Sequence, residues 1–312
     1  MRLAVVIPTY QRPEMLRACV RSLLAGERRP DEIVVAGREG DQETEDAVRE
    51  LRTEAGERLR SVSVTESGHV PPVRAGAQAA SAELVAFVDD DVTVTPEWLR
   101  ELARHFEDPT VGVVGGRVIT LTNPPIRLRG RPGQITWYGK HWGNIGNLDA
   151  PAPLDVMSLM EGNWAWRREL LLSLEFDPVL NFDDAPMYGL DLCFQARRRG
   201  YRLVYDSRAR VYHHAAPRIA ELDRQAAVRR LSYSRNYTYI LLRRLPAWRR
   251  LVFLLWWFLF GERASLGLGG AMVEMLGGSR EWRRQFGPAW AGKIEGARLW
   301  LEFRDRRVHN TG

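Results

Sequence analysis

Lysine is almost missing from this chain. Of 45 basic residues only Lys140 and Lys293 are lysines, and the rest are arginines. The planar arginine fork suits phosphates and carboxylates better than a lysine point charge does. The net charge of +6 therefore directs attention to nucleotides, nucleic acid or an anionic membrane surface. Cysteine is as scarce. Cys19 and Cys193 belong to no C-x-x-C pair, which excludes a zinc ribbon and argues against a disulfide framework. Both read as small core residues in a protein of the reducing cytoplasm. No apolar run reaches the roughly 18 residues of a spanning helix, and the opening MRLAVVIPTY is too short and too soon broken by Pro8 to be a signal peptide. Gly112–Gly116 (GVVGG) has neither dinucleotide-fingerprint nor Walker spacing. There is no serine elbow and no H-E-x-x-H.

What is present is alternation. Short β-branched runs at 3–8, 31–37, 61–66 and 84–88 read as strands, and 111–119 as another. Between them, 13–26, 44–59, 73–82 and 96–106 carry apolar positions at helical spacing, with Pro13 and Pro96 as starts. This pattern predicts an α/β fold: a parallel sheet with helices on both faces. From 120 to 155 the chain is rich in Gly, Pro, Arg and aromatics and reads as long loops, the kind that usually carry function. The run 166–174 and the segment 190–201 look helical. RLVYD (202–206) and RVYHH (210–214) look like two short strands.

LVAFVDDDV places three aspartates at a strand's carboxyl end, where open α/β sheets bind ligands. Such a cluster is costly unless its charge is cancelled. A hard divalent cation does that through carboxylate oxygens, with a nucleotide diphosphate as counter-anion. The bland alternative is a solvated acidic turn, or a cap for the helix at Pro96.

VVIPTYQRPEMLRACVRSLLAGERRPDEIVV (5–35), VRAGAQAASAELVAFVDDDVTVTPEWL (73–99), EGNWAWRREL (161–170) and LDLCFQARRRGYRLVYDSRARVYHH (190–214) together resemble the inverting family 2 glycosyltransferases of the GT-A fold. The resemblance spans roughly residues 3–214. It implies a mostly parallel, Rossmann-like central sheet flanked by helices, here with a C-terminal helical extension. Residues 1–119 form a nucleotide-sugar half, 120–216 an acceptor half of the same domain, and 217–312 the helical region. It also implies glycosyl transfer from a nucleotide-diphosphate sugar with Mg²⁺ or Mn²⁺.

Residue by residue, Asp89 and Asp91 match the two aspartates of the family's DxD motif, with Asp91 toward the metal, Asp89 toward ribose or sugar, and Asp90 between them. His213 matches a histidine that completes the metal site in relatives; His214 is the alternative. Pro8, Thr9 and Tyr10 match the loop lining the base, and Arg74 the basic residue near the nucleotide. Two departures stand out. Ala36 and Gly37 replace an Asp-rich turn that reads the base, which leaves Glu39 or Asp41 to substitute. Tyr188 and Gly189 stand where a Glu-Asp pair is expected. Asp191 is then the first choice of general base, Asp184 the second and Asp183 the third. The lost Glu-Asp keeps open a second reading, a catalytically inactive nucleotide-sugar-binding scaffold. Trp137, Tyr138, Trp142 and Trp164 are either stacking platforms or ordinary packing.

The resemblance names no acceptor: lipid-linked, saccharide, peptide and small-metabolite acceptors all fit. Nucleic acid does not, since basic residues are not interleaved with stacking aromatics along one groove. Instead, Arg224 to Arg250 holds eight arginines and no acid, followed by LVFLLWWFLF (251–260). This reads as an amphipathic segment lying on an anionic membrane surface, peripheral on the inner face. Its competitor is a helical appendage buried against the catalytic domain or a second subunit of a homodimer.

Overall fold

The computed structural model describes residues 1–120, 124–128, 130–143, 145–214, 222–278 and 281–304. They form two compact units: residues 1–134, 142–178 and 192–217, and residues 135–141, 179–191 and 218–312.

In the first unit strands and helices alternate as the sequence predicts: β1 (Leu3–Pro8), α1 (Pro13–Leu24), β2 (Glu32–Arg38), α2 (Gln42–Ala55), β3 (Leu59–Val64), α3 (Val70–Ala79), β4 (Leu84–Val88), β5 (Val92–Val94), α4 (Trp98–Ala103) and β6 (Val111–Thr120). β7 (Leu154–Val156), β8 (Asn163–Arg167), α5 (Arg168–Leu172), α6 (Tyr188–Arg198, of which residues 188–191 belong to the second unit) and β9 (Arg202–His213) follow. The sheet order is β3-β2-β1-β4-β8-β6-β9-β5, with β7 also beside β9. β8 runs against β4 and β6, while β5 and β7 run against β9. The remaining six strands share one direction, so the sheet is mostly parallel.

Local chemistry explains these elements. β1 is a β-branched run, and Leu3, Val5 and Ile7 enter the core with Leu16, Cys19 and Val20 of α1. Pro13 presets the first turn of α1, and Leu16, Cys19, Val20 and Leu23 share its buried face. Asp41 caps α2 by accepting from the Thr44 amide. In α3, a Cβ at Gly76 would lie 2.2 Å from Val6 Cγ1, so glycine lets the helix press onto β1. Because β1 and β4 are parallel neighbours, with Val6 opposite Phe87, Pro8–Thr9 and Asp89–Asp90 emerge side by side.

Two elements differ from the sequence reading. Of the run 166–174 read as helical, Trp166 and Arg167 instead end the strand Asn163–Arg167, and only Arg168–Leu172 is helical. The two runs at 202–206 and 210–214 form one long strand with a register shift after Asp206. There Asp206, 1% exposed, accepts from Arg104, His105 and Arg208.

The second unit holds α7 (Leu222–Arg244), α8 (Ala247–Leu259), the hairpin β10 (Gly261–Glu262) and β11 (Ser265–Leu266), α9 (Leu268–Leu276) and α10 (Glu281–Phe303). α7 packs along α10, and Arg235 pairs with Glu295 at 2.9 Å. Tyr237, Phe253 and Trp257 form an aromatic core. One of the two lysines is spent here: buried Lys293 donates to the carbonyls of Trp257, Ser265 and Leu266. Among the described residues no helix is long and apolar enough to cross a membrane.

Candidate active site

The three aspartates separate in character once folded. Asp90 is buried and accepts from Thr9 Oγ1 at 2.8 Å and Arg12 Nη1 at 3.1 Å. Burial pushes its carboxyl above the ordinary range, against those two partners. Asp89 is raised as well, first by burial, with His69, His213 and Arg12 pulling the other way and Asp91 adding to the rise. Asp91 is held below the ordinary range: burial raises it, but the nearby His213 ring and Arg12 guanidinium outweigh that. Asp91 is therefore the carboxylate most ready to carry charge.

Asp91 Oδ2 lies 3.3 Å from Arg12 Nη1. Its other oxygen, Oδ1, is buried without a hydrogen-bond donor, and His213 Nε2 stands 3.4 Å from it. The geometry separates the two histidines: β9 pairs His213 with Val92, whereas the His214 ring is bonded to Thr93 Oγ1 at 2.8 Å. Among the described residues no cluster of three or more His, Cys, Asp or Glu side chains forms a closed metal site. One carboxylate whose buried Oδ1 faces one imidazole fits an open site for a hard cation, which would draw its remaining ligands from outside the chain.

Behind the aspartates sits the Gly-Asn segment. Gly162, at φ +84°, faces Asp89 so closely that a Cβ would lie 2.3 Å from Oδ2. Asn163 is fully buried. Its amide donates to the carbonyls of Arg117 and Ala209 and its Oδ1 accepts from Trp98 Nε1 at 2.7 Å, tying β8, β6, β9 and α4 together. These roles follow from the tertiary structure; the sequence shows only the dipeptide. Arg12 was also missed. It lies between the base loop and a proline, and nothing in the sequence says that its guanidinium turns to the aspartates.

Of the other nucleotide candidates, Pro8 and Thr9 flank Asp90, Tyr10 is exposed with Arg38 stacked 5.4 Å over its ring, and Arg74 is exposed on α3. Asp41 is committed elsewhere. Besides capping α2 it accepts from the Gln11 amide at 2.7 Å, fixing the left-handed turn at Gln11.

A family model, "Glycosyl transferase family 2", matches residues 4–171. The chain belongs to that family. Its fold agrees: a mannosyltransferase from Pyrobaculum calidifontis, solved in complex with GDP-Man and Mn²⁺, superposes with a TM-score of 0.57 at 17% identity, covering 96% of this chain and 87% of that one. The sheet is thus that of GT-A glycosyltransferases. A pre-mycofactocin glycosyltransferase of Mycobacterium tuberculosis is 31% identical over 144 residues, 44% of this chain but only 28% of that protein. A glucosyl-dolichyl phosphate glucuronosyltransferase of Haloferax volcanii is 24% identical over 68% of this chain and 69% of its own length.

The aspartates that the sequence offers as general-base candidates, 183, 184 and 191, lie in the second unit. Asp191, 1% exposed, is gripped by both arms of the Arg244 fork. Asp183 accepts from Ser232 Oγ at 3.0 Å. Asp184 is exposed. It sits in a loop where Asp183, Ala185 and Met187 all adopt positive φ, a backbone cost that persists only when the surroundings impose it. Those surroundings are on α7: Asn236 donates to the carbonyls of Leu180 and Pro186, and Arg235 stacks 4.5 Å over Phe182. Of the aromatic candidates, Trp164 is core, with no exposed surface. Tyr138 packs edge-on to Trp256, Trp142 is half-buried, and Trp137 is exposed.

Proposed function

We propose that this glycosyltransferase uses a nucleoside-diphosphate sugar, holds Mg²⁺ or Mn²⁺ through Asp91 and His213, and inverts the anomeric centre with Asp184 as general base. The observation that carries the reading is the buried Asp91 Oδ1 facing His213 Nε2 at 3.4 Å, beyond the carboxyl end of β4. The relative solved with GDP-Man and Mn²⁺ supports it.

When bound, the cation would offset the charge that develops on the leaving diphosphate. The chain's own residues do the rest. Thr9 and Arg12 fix Asp90, so the aspartate turn keeps its shape. Gly162 leaves room for Asp89 to point toward ribose or sugar. Tyr10 offers an exposed ring to the base. Asp184 takes the proton of the acceptor hydroxyl as it attacks, a task that needs an accessible carboxylate. Asp191, the first choice on sequence, is disfavoured here because the Arg244 fork already occupies both its oxygens.

The inactive-scaffold reading draws on that same locked Asp191. A thermal-shift screen of UDP-, GDP-, dTDP- and CDP-sugars, with Mn²⁺ and with chelator, tests the binding half. One donor class should raise the melting temperature only with metal, since a ligand of the native state stabilises by mass action. Product release from that donor then separates enzyme from scaffold. A screen in which no donor shifts the melt with Mn²⁺ contradicts the reading.

A further inference from the structure

We propose that the outer faces of α8 and α9 form a surface that seats in the headgroup region of an anionic lipid bilayer. The inference stands apart from the chemistry at Asp91 and does not depend on the donor or base. α8 buries Phe253 and Trp257 and exposes Trp248, Leu251, Leu255 and Leu259. Those four recur at intervals of three and four, so they make one stripe. On α9, Leu268, Met272 and Leu276 make a second stripe, with Leu276 76% exposed. The stripes belong to adjoining elements: a Cβ at Gly269 would sit 3.8 Å from the Phe260 ring. Single exposed leucines are ordinary on a soluble surface. Two neighbouring apolar rows are not, and mark an interaction face.

Charge selects the occupant. α8 contains no acid and carries Arg249 and Arg250 in its first turn, both half-buried and bonded to backbone carbonyls but keeping their charge at this end of the face. Arg263 is exposed in the β10–β11 turn. Glu262 is turned inward, accepting from the His141 amide and Tyr233 hydroxyl. Glu274 on α9 is the acid exposed among these two helices and their hairpin, so a second copy docked here would bring one acid to meet three arginines, whereas anionic headgroups complement them. Trp248, 64% exposed at the start of α8, has the amphipathic ring that sits at headgroup level. At 13 residues α8 is about 20 Å long, enough to lie in the interface and too short to span it.

The geometry also corrects the electrostatics expected from sequence. Arg235, Arg243 and Arg244 are buried, and Arg249 donates to the carbonyls of Trp137 and Thr136. Much of the arginine run from 224 to 250 thus serves the unit's interior. The apolar stripes carry the contact, so binding should persist in part at high salt.

The test is flotation of the full chain with vesicles of phosphatidylcholine and of phosphatidylcholine mixed with phosphatidylglycerol. Wild type should float with the mixed vesicles, and Leu255→Glu/Met272→Glu should lower the partition coefficient about tenfold or more. Both positions are exposed, so the melting curve should not move. As a second readout on unmodified backbone, bromine-labelled lipids should quench tryptophan emission in wild type, and Trp248→Ala should remove much of the quenched component. Wild type that stays in solution with both vesicle types, or a double variant that floats as wild type does, overturns the proposal. So does a wild-type dimer in sedimentation that the double variant splits, which would make the face a contact between copies.

Discussion

Asp184→Asn is expected to lower kcat by about 10²- to 10⁴-fold, the usual weight of a general base. The donor KM should stay within about twofold, because the base acts in the transition state and not on the bound nucleotide. Stability should hardly change, since Asp184 is exposed. The split between kcat and KM is measured by steady-state kinetics once a donor is known. Near-normal kcat in Asp184→Asn would remove Asp184 from the mechanism.

Asp191→Asn should behave in the opposite way. Asn keeps the shape but withdraws the counter-charge from a buried guanidinium. Breaking such a pair from one side typically costs about 3–5 kcal/mol, a large part of the stability of an ordinary domain. Urea denaturation should show that loss, and donor turnover per folded molecule should survive it. If Asp191→Asn instead folds as wild type does and loses turnover, Asp191 is the base after all and its ion pair opens during the reaction.

The contrast between these two carboxylates shows what could be read in the chain without its structure. The strands that lead to the aspartates were legible because their signals are local. Leu3–Pro8 and Leu84–Val88 are short β-branched or apolar runs ending in punctuation, and they became buried parallel neighbours. β8 was not legible. It lies between β4 and β6, so Asn163, Trp164, Ala165 and Trp166 are all fully buried. A strand covered on both faces has no period-two pattern, and the leucines that follow suggested a helix. β9 looked like two strands because Ser207-Arg208-Ala209 interrupts it; Arg104, His105 and Arg208, converging on Asp206, make that polar interruption affordable inside a sheet. The site divides the same way. Asp91 and His213 were named from motif and spacing, and the fold brings them within 3.4 Å of each other. Arg12, Gly162 and the Arg244–Asp191 pair depend on contacts between residues far apart in sequence, and no local pattern announces them. The arginines of α7 taught the same lesson in reverse: composition shows their charge, and only packing shows that several face inward.

The central claim is that Asp91 holds a divalent cation against a nucleoside diphosphate. Calorimetric titration of UDP and of GDP into the protein, with Mn²⁺ and with chelator, measures it without needing the acceptor. Wild type should bind at least one of them with Mn²⁺ and lose most of that affinity in chelator. Asp91→Asn should weaken the Mn²⁺-dependent binding by about tenfold or more, equivalent to at least ~1.4 kcal/mol. Equal affinity in wild type and Asp91→Asn with Mn²⁺ present would contradict the account.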